Sequence, residues 1–202
     1  IVTERSVTRF FARDCVDYHM YSNLSPNKRI IVLFVHLKSQ WDRSGEDFRG
    51  FKQRSAEVHT LIEIIQEKQR QFPQALLFLA GDFNGSAQKE HPDREFLPVY
   101  QKTALKDLFE WQDLPPEQRR TTSLFDSKNK LLSNRNLQLD YLFFTEKTKT
   151  YVDIRKSGRI QYINECGQVM PLPQAPQAKM ALPSDHFPIS CQLEALEKFW
   201  GP

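Results

Sequence analysis

Arg29-Ile30-Ile31-Val32-Leu33-Phe34-Val35 and Leu76-Leu77-Phe78-Leu79-Ala80 are two strand-sized apolar runs, and the residues between them follow a different period. The first run is apolar on both faces, which places it centrally in a sheet covered on each side. From Phe51 to Phe72, the apolar residues Phe51, Val58, Leu61/Ile62 and Ile65 recur at helical spacing, with Glu, Gln, Lys and Arg between them. This is the pattern of an amphipathic helix, and Pro73 stops it. Strand, helix and strand in this order predict a crossover unit with two parallel strands. Their C-terminal ends then share one side of the sheet. His36 ends the first strand and Asp82 follows the second, so topology alone brings two polar groups to a place where open sheets carry sites.

Around this unit, Val16 to Tyr21 reads as a short strand, and Ser25-Pro26-Asn27-Lys28 as a turn. Residues 38–50 form a polar loop, and Gly85 to Arg94 form another. Phe96 to Trp111 has weaker helical character, ended by Leu114-Pro115-Pro116. Gln118 to Gln138 is polar, basic and irregular. Leu137 to Thr145 is a strong strand with a lone acid, Asp140. Tyr151 to Ile154 and Arg159 to Ile163 read as two strands around a Ser157-Gly158 turn. Gly167 to Pro183 is a proline-rich loop, Phe187 to Leu193 a last strand, and the tail beyond is expected to fray.

The chain has 202 residues, 40% hydrophobic and 26% charged, the composition of a globular protein of one domain spanning residues 1–202. No apolar run reaches membrane-spanning length. Net charge is +3, but residues 119–159 hold ten Lys/Arg against four Asp/Glu. Such a segment is either a solvated face or a region facing phosphate. Cys15, Cys166 and Cys191 form neither a metal-ligand cluster nor an even disulfide set, and this usage leans towards a cytoplasmic setting.

Four segments place ionisable groups at or within apolar strands. They are Val35-His36-Leu37-Lys38-Ser39, Ala80-Gly81-Asp82-Phe83-Asn84, Gln138-Leu139-Asp140-Tyr141 and Pro183-Ser184-Asp185-His186-Phe187. A buried acid in a strand is costly unless paired, so several such groups suggest a shared polar centre with a cation. Asp82 and Asn84, two residues apart beyond a strand, suit a hard divalent cation or an attacking water; an Asx turn suits the same spacing. Asp185 and His186 diverge if the backbone is extended, so one can hold a metal while the other faces substrate. A working histidine wants a carboxylate to fix its tautomer, and Asp140 is the candidate; a pair that merely ties two strands reads equally well. His36 can donate to a phosphoryl oxygen, and Lys38, one alternation on, either adds charge or faces solvent. Phe and Trp residues read mainly as core, with Trp41 a possible flank of a substrate groove.

In order and spacing, these segments resemble the endonuclease/exonuclease/phosphatase superfamily, over roughly Val16 to Leu193. The resemblance implies a two-sheet α/β sandwich of DNase I-like type with flanking helices. It also implies phosphoester hydrolysis dependent on Mg²⁺, or Mn²⁺. Asp82 would activate or orient the water, and Asn84 would hold water, metal or a phosphoryl oxygen. Asp185 would ligate the metal together with Asp82 and Asn84. His186 would contact phosphate or act as base, oriented by Asp140, and His36 would contact phosphate. The family normally begins with an Asn-containing strand and a strand ending in a metal-binding Glu. Neither precedes His36 here, and Glu4 sits in the wrong context. The expectation is therefore an incomplete first sheet with exposed apolar surface, and weak or absent turnover by these 202 residues alone.

The basic segment favours a nucleic-acid substrate, with Arg119, Arg120, Lys128, Lys130 and Arg135 tracking the phosphate backbone. No regular aromatic interleaving accompanies it, so the sequence indicates no stacking surface for single strands. A phosphodiesterase of nuclease type is the first reading. A sphingomyelinase-like or small-molecule phosphoesterase is the second and predicts an apolar rim at the site. A non-catalytic binding domain that retained the fold is the third. An α/β hydrolase is excluded, since no Gly-x-Ser-x-Gly occurs.

Overall fold

A computed structural model describes residues 11–13, 15–23, 25–41, 45–125, 128, 130 and 137–201. Glu4 and Arg135 lie outside the described residues.

Five strands form one mixed sheet. β1 (Val16–Ser22) pairs antiparallel with β2 (Ser25–His36), and β2 runs parallel to β3 (Leu76–Asp82). The crossover between them is α1 (Phe51–Gln71). β5 (Asp140–Phe144) pairs antiparallel with β3 and with the two-residue edge strand β4 (Lys106–Asp107), giving the order β1-β2-β3-β5-β4. Alternation along the strands sorts the core into two layers. Ile31, Leu33, Val35, Leu77, Leu79 and Phe143 face α1 and meet Val58, Leu61 and Ile65. On the other face, Ile30, Leu76, Phe78, Leu142 and Phe144 meet Leu108, Val152 and Phe199. That double burial is why β2 and β3 read as unbroken apolar runs.

A second sheet lies over this second face. It consists of β6 (Gly158–Arg159) and β7 (Ile189–Ser190), and Ile189 joins its packing. The architecture is the two-sheet, helix-flanked α/β arrangement of DNase I-like type. Among the described residues, the second layer stops short of β1, whose Tyr18 is 55% exposed, and Phe34 on the neighbouring β2 is 47% exposed.

Several local expectations give way to tertiary structure. Ser25 to Lys28 begins β2 instead of forming a turn. The stretch 96–111 is not one helix. α2 (Leu97–Thr103) ends at Ala104, whose φ of 56° is left-handed, and α3 (Leu108–Trp111) starts only after β4. Tyr151–Ile154 and Arg159–Ile163 do not pair with each other; Val152 bridges to Leu193, and β6 pairs with β7. Short helices α4 (Glu146–Lys149) and α5 (Pro176–Lys179) occupy the connections. The tail does not fray: α6 (Leu196–Trp200) buries Phe199, and Ser25 Oγ donates to the Trp200 carbonyl at 2.9 Å. Among the described residues, no helix is long and apolar enough to cross a membrane.

Candidate active site

His36 is the last residue of β2 and stands in register with Asp82, the last of β3; Asp82 in turn is paired across to Asp140, the first residue of β5. Three ionisable groups thus meet at one edge because three neighbouring strands end or begin there. Gly81 permits the approach. Its φ is 142°, and a β-carbon on it would fall 1.9 Å from the Val35 carbonyl oxygen, so no other residue fits.

The fourth contributor comes from the second layer. Thr122 bridges to His186, and Ser123 N donates to the Asp185 carbonyl at 2.8 Å. His186 Nδ1 then lies 2.9 Å from Asp140 Oδ2 and 3.1 Å from Oδ1. Asp82, Asp140 and His186 each offer a ligand atom, all within 4.8 Å of one another, and form the one such group among the described residues able to hold a metal ion. His36 Nε2 stands 3.4 Å from Asp82 Oδ2. Asn84, left-handed at φ 51°, donates its backbone N–H to Asp82 Oδ1 at 2.7 Å and its side-chain amide to the Leu37 carbonyl at 2.9 Å. Both the Asx turn and the shared centre are therefore present in one structure.

Electrostatics divide these groups. Burial pushes the Asp82 carboxyl above its ordinary value, and Asp140 opposite adds to the rise, against the Asn84 N–H. The hydrogen bond to Asp140 raises the His186 imidazole. Burial lowers His36, although Asp82 works against it. The two histidines thus favour opposite charge states at one site.

Asp185 stands apart. Its carboxylate accepts from Lys179 Nζ at 2.9 Å and is not in the group of three. Burial would raise its pKa, but the Lys179 hydrogen bond prevails and holds it below the usual carboxylate range. Lys38 folds back, donating to the Trp41 carbonyl at 2.7 Å. Arg119 and Arg120 correct the sequence reading most directly. Both are buried. Arg119 Nε donates to the Leu114 carbonyl at 2.7 Å, and its Nη1 lies 3.7 Å from Glu90 and Glu110. Arg120 donates to the carbonyls of Thr122 and Pro173, each at 2.8 Å. Buried guanidiniums committed to internal carbonyls are withdrawn from any phosphate backbone.

Sequence reading missed the residues that brace the site. Glu57 and Arg54 of α1 are buried; Glu57 accepts the Lys38 N–H at 2.6 Å, and Arg54 donates to the Lys38 carbonyl at 2.9 Å. The signal was available: both sit four residues before an apolar-stripe position, Val58 and Leu61. Thr121 Oγ1 accepts the N–H groups of Leu139 and Asp140 at 3.0 and 3.1 Å and so fixes the start of β5. No sequence pattern marks it.

No family model matches the chain, and no curated protein matches it in sequence. Solved structures do match in fold. A selenomethionine form of TDP2 from Caenorhabditis elegans aligns over 93% of this chain and 52% of its own, at 19% identity and a TM-score of 0.51. Truncated C. elegans TDP2 aligns over 91% and 66%, at 20% identity and 0.50. An endonuclease/exonuclease/phosphatase family protein from Bacteroides thetaiotaomicron aligns over 89% and 55%, at 18% identity and 0.47. The chain spans between about half and two thirds of the length of these structures.

Proposed function

We propose that the chain is a metal-dependent phosphoester hydrolase of phosphodiesterase type, using Mg²⁺ or Mn²⁺ and an activated water. The observation that carries this is the convergence of Asp82, Asp140 and His186 within 4.8 Å at the strand ends. The donor set fits such a cation. Two carboxylates in paired register face each other, and a positive charge between them relieves the repulsion that helps to raise Asp82. The two carboxylates among the three donors supply the hard oxygen ligands that Mg²⁺ and Mn²⁺ take. When bound, the cation supplies charge neutralisation at phosphoryl oxygens.

The remaining work falls to side chains. Asp82, beside His36 and held by the Asn84 N–H, is placed to orient the attacking water or to take its proton. Asp140 holds His186 through Nδ1, which leaves Nε2 for a phosphoryl oxygen or the leaving group. Neutral His36 donates one N–H to the phosphoryl group. Asn84 spends its amide N–H on Leu37 and keeps its oxygen for water or the cation. Metal contact by Asp185 requires the Lys179 ammonium to turn away.

A second reading, a phosphoester with an apolar substituent, is favoured by a cleft of about 360 Å³ beside Asp140 and His186, walled by Phe34, Tyr162, Phe187 and Ile189. The test is Mg²⁺-dependent turnover by the full-length protein of plasmid DNA, sphingomyelin and bis-p-nitrophenyl phosphate in parallel. Asp82→Asn and His186→Ala should each reduce kcat by at least about 100-fold. No metal-dependent cleavage of any of the three, or unimpaired Asp82→Asn, would sink the proposal.

A further inference from the structure

Phe48 and Arg49 lie in the connection between β2 and α1, and Phe51 is the first residue of α1. Together they line a concavity of about 220 Å³ that also takes in Gly85, which follows Asn84, and Leu139, which precedes Asp140. The concavity therefore adjoins the candidate centre. It is smaller than the several hundred Å³ of drug-sized pockets. Phe48 is 81% exposed and Phe51 46%, against the reading of both as core. Single exposed apolar residues are ordinary, but two rings from one short loop turned into one hollow form a surface.

The loop is built, not slack. Arg49 has a left-handed φ of 56°, and Gly50, at 65°, follows it; a β-carbon on Gly50 would fall 2.4 Å from the Ser39 carbonyl oxygen. Such a backbone persists only where its surroundings fix it. Buried Arg54 does so, donating to the Arg49 carbonyl at 3.0 Å and the Lys38 carbonyl at 2.9 Å, with its Nε 2.7 Å from Glu95. The Asp47 carboxylate accepts the N–H groups of Lys52 and Gln53 at 2.8 and 3.0 Å. The aromatic loop is thereby tied to the residue two beyond His36.

Charge in the hollow is unevenly satisfied. Glu95 is paired with Arg54, and Asp93 lies 3.6 Å from His91. Arg49 donates to a neutral acceptor, Gln40 Oε1, at 2.7 and 3.2 Å, and its charge also acts on Glu95. Gln40 in turn donates to the Asn84 carbonyl at 3.1 Å. Two rings and a guanidinium beside a phosphoester site are the chemistry that recognises an unpaired nucleotide, ring faces for the base and the cation for the phosphate.

We propose that Phe48, Arg49 and Phe51 form a base-stacking subsite for single-stranded nucleic acid, placing the neighbouring phosphate at Asp82, Asp140 and His186. This rests on the hydrolase reading above and names its substrate class. It also places two exposed rings, Phe48 and Phe51, beside the candidate centre, where the basic 119–159 segment has no regular aromatic interleaving. A duplex, with its bases already stacked on one another, cannot offer a base face to these rings.

The test uses a single-stranded DNA oligonucleotide carrying 2-aminopurine, bound to the protein with Asp82→Asn to prevent cleavage. Adding Phe48→Ala and Phe51→Ala should weaken binding at least about fivefold and abolish the base-fluorescence change. Phe48→Trp with Phe51→Trp should retain both, and thermal melts should show the alanine variant folded. Equal binding by the alanine variant, a preference for duplex, no oligonucleotide binding at all, or loss of sphingomyelin-vesicle binding instead overturns the proposal. Turnover of bis-p-nitrophenyl phosphate, which has no base, reports the centre alone. If neither this ester nor plasmid DNA nor sphingomyelin is cleaved while ring-dependent binding stands, the hydrolase reading fails and the subsite survives; if the ester is turned over while the rings make no difference, the reverse holds.

Discussion

His36 and His186 sit on either side of Asp82 and titrate in opposite senses. For His186, the Asp140 hydrogen bond raises the folded pKa, so the pairing stabilises the fold below the ordinary value of 6.5 and is lost as pH rises through the folded value. For His36, burial lowers the folded pKa, so its contribution is present above 6.5 and lost as pH falls through the folded value. NMR titration should show one imidazole protonating above 6.5 and the other below, and Asp140→Asn should bring His186 down while leaving His36 low. Two imidazoles titrating together would contradict the geometry. Gly81 makes a harder demand. Gly81→Ala puts a methyl 1.9 Å from the Val35 oxygen at a left-handed φ, and should destabilise the protein by more than about 3 kcal/mol in denaturant unfolding.

At the scale of elements, α1 is more than a cover for the sheet. It inserts Arg54 and Glu57 under the His36 end of β2, and Arg54 is paired with the equally buried Glu95. Removing one partner strands the other, so Arg54→Ala should cost about 3–5 kcal/mol, with little rescue by Arg54→Lys, whose ammonium cannot span Lys38, Arg49 and Glu95 together. Long elements were legible in the sequence because period and length agree: β2, α1 and β3 lie where apolar repetition puts them. The juxtaposition of His36 with Asp82 followed from the parallel crossover alone. β4, β6 and β7 are two residues each and owe their conformation to a partner strand, so Lys106-Asp107 and Gly158-Arg159 carry no local signal. Phe51 sits at helical spacing yet is half-exposed at the hollow beside the candidate centre, because a stripe predicts a face and not which end of it is covered. Arg119 and Arg120 misled for a related reason: charge counted along a sequence does not reveal which guanidiniums are satisfied inside.

Across the whole molecule, buried acids set the pH response. Burial raises Asp107 to about 7, and also raises Asp82, Glu57, Glu95 and Glu110. Each binds a proton more tightly folded than unfolded, so stability should fall as pH rises from about 4 through 7. Thermal midpoints across that range should decline, with a shallower slope in Asp107→Asn. The bare part of the sheet face is the second global property. Among the described residues, Val16 and Tyr18 project bare from β1, which ends the sheet, and Phe34 beside them on β2 is half-exposed at the rim of the second layer. Tyr18→Lys with Phe34→Lys should reduce concentration-dependent association of residues 1–202 in sedimentation, with little change in melting temperature.

The anchoring of α6 has a practical corollary. Trp200 is fastened at Ser25, where β2 begins, while His36 closes the same strand about 36 Å away at 3.3 Å per residue. A biosensor chip or bead gripping the molecule near Trp200 would present the edge bearing the candidate site outward, leaving a long polymer unobstructed access from solution.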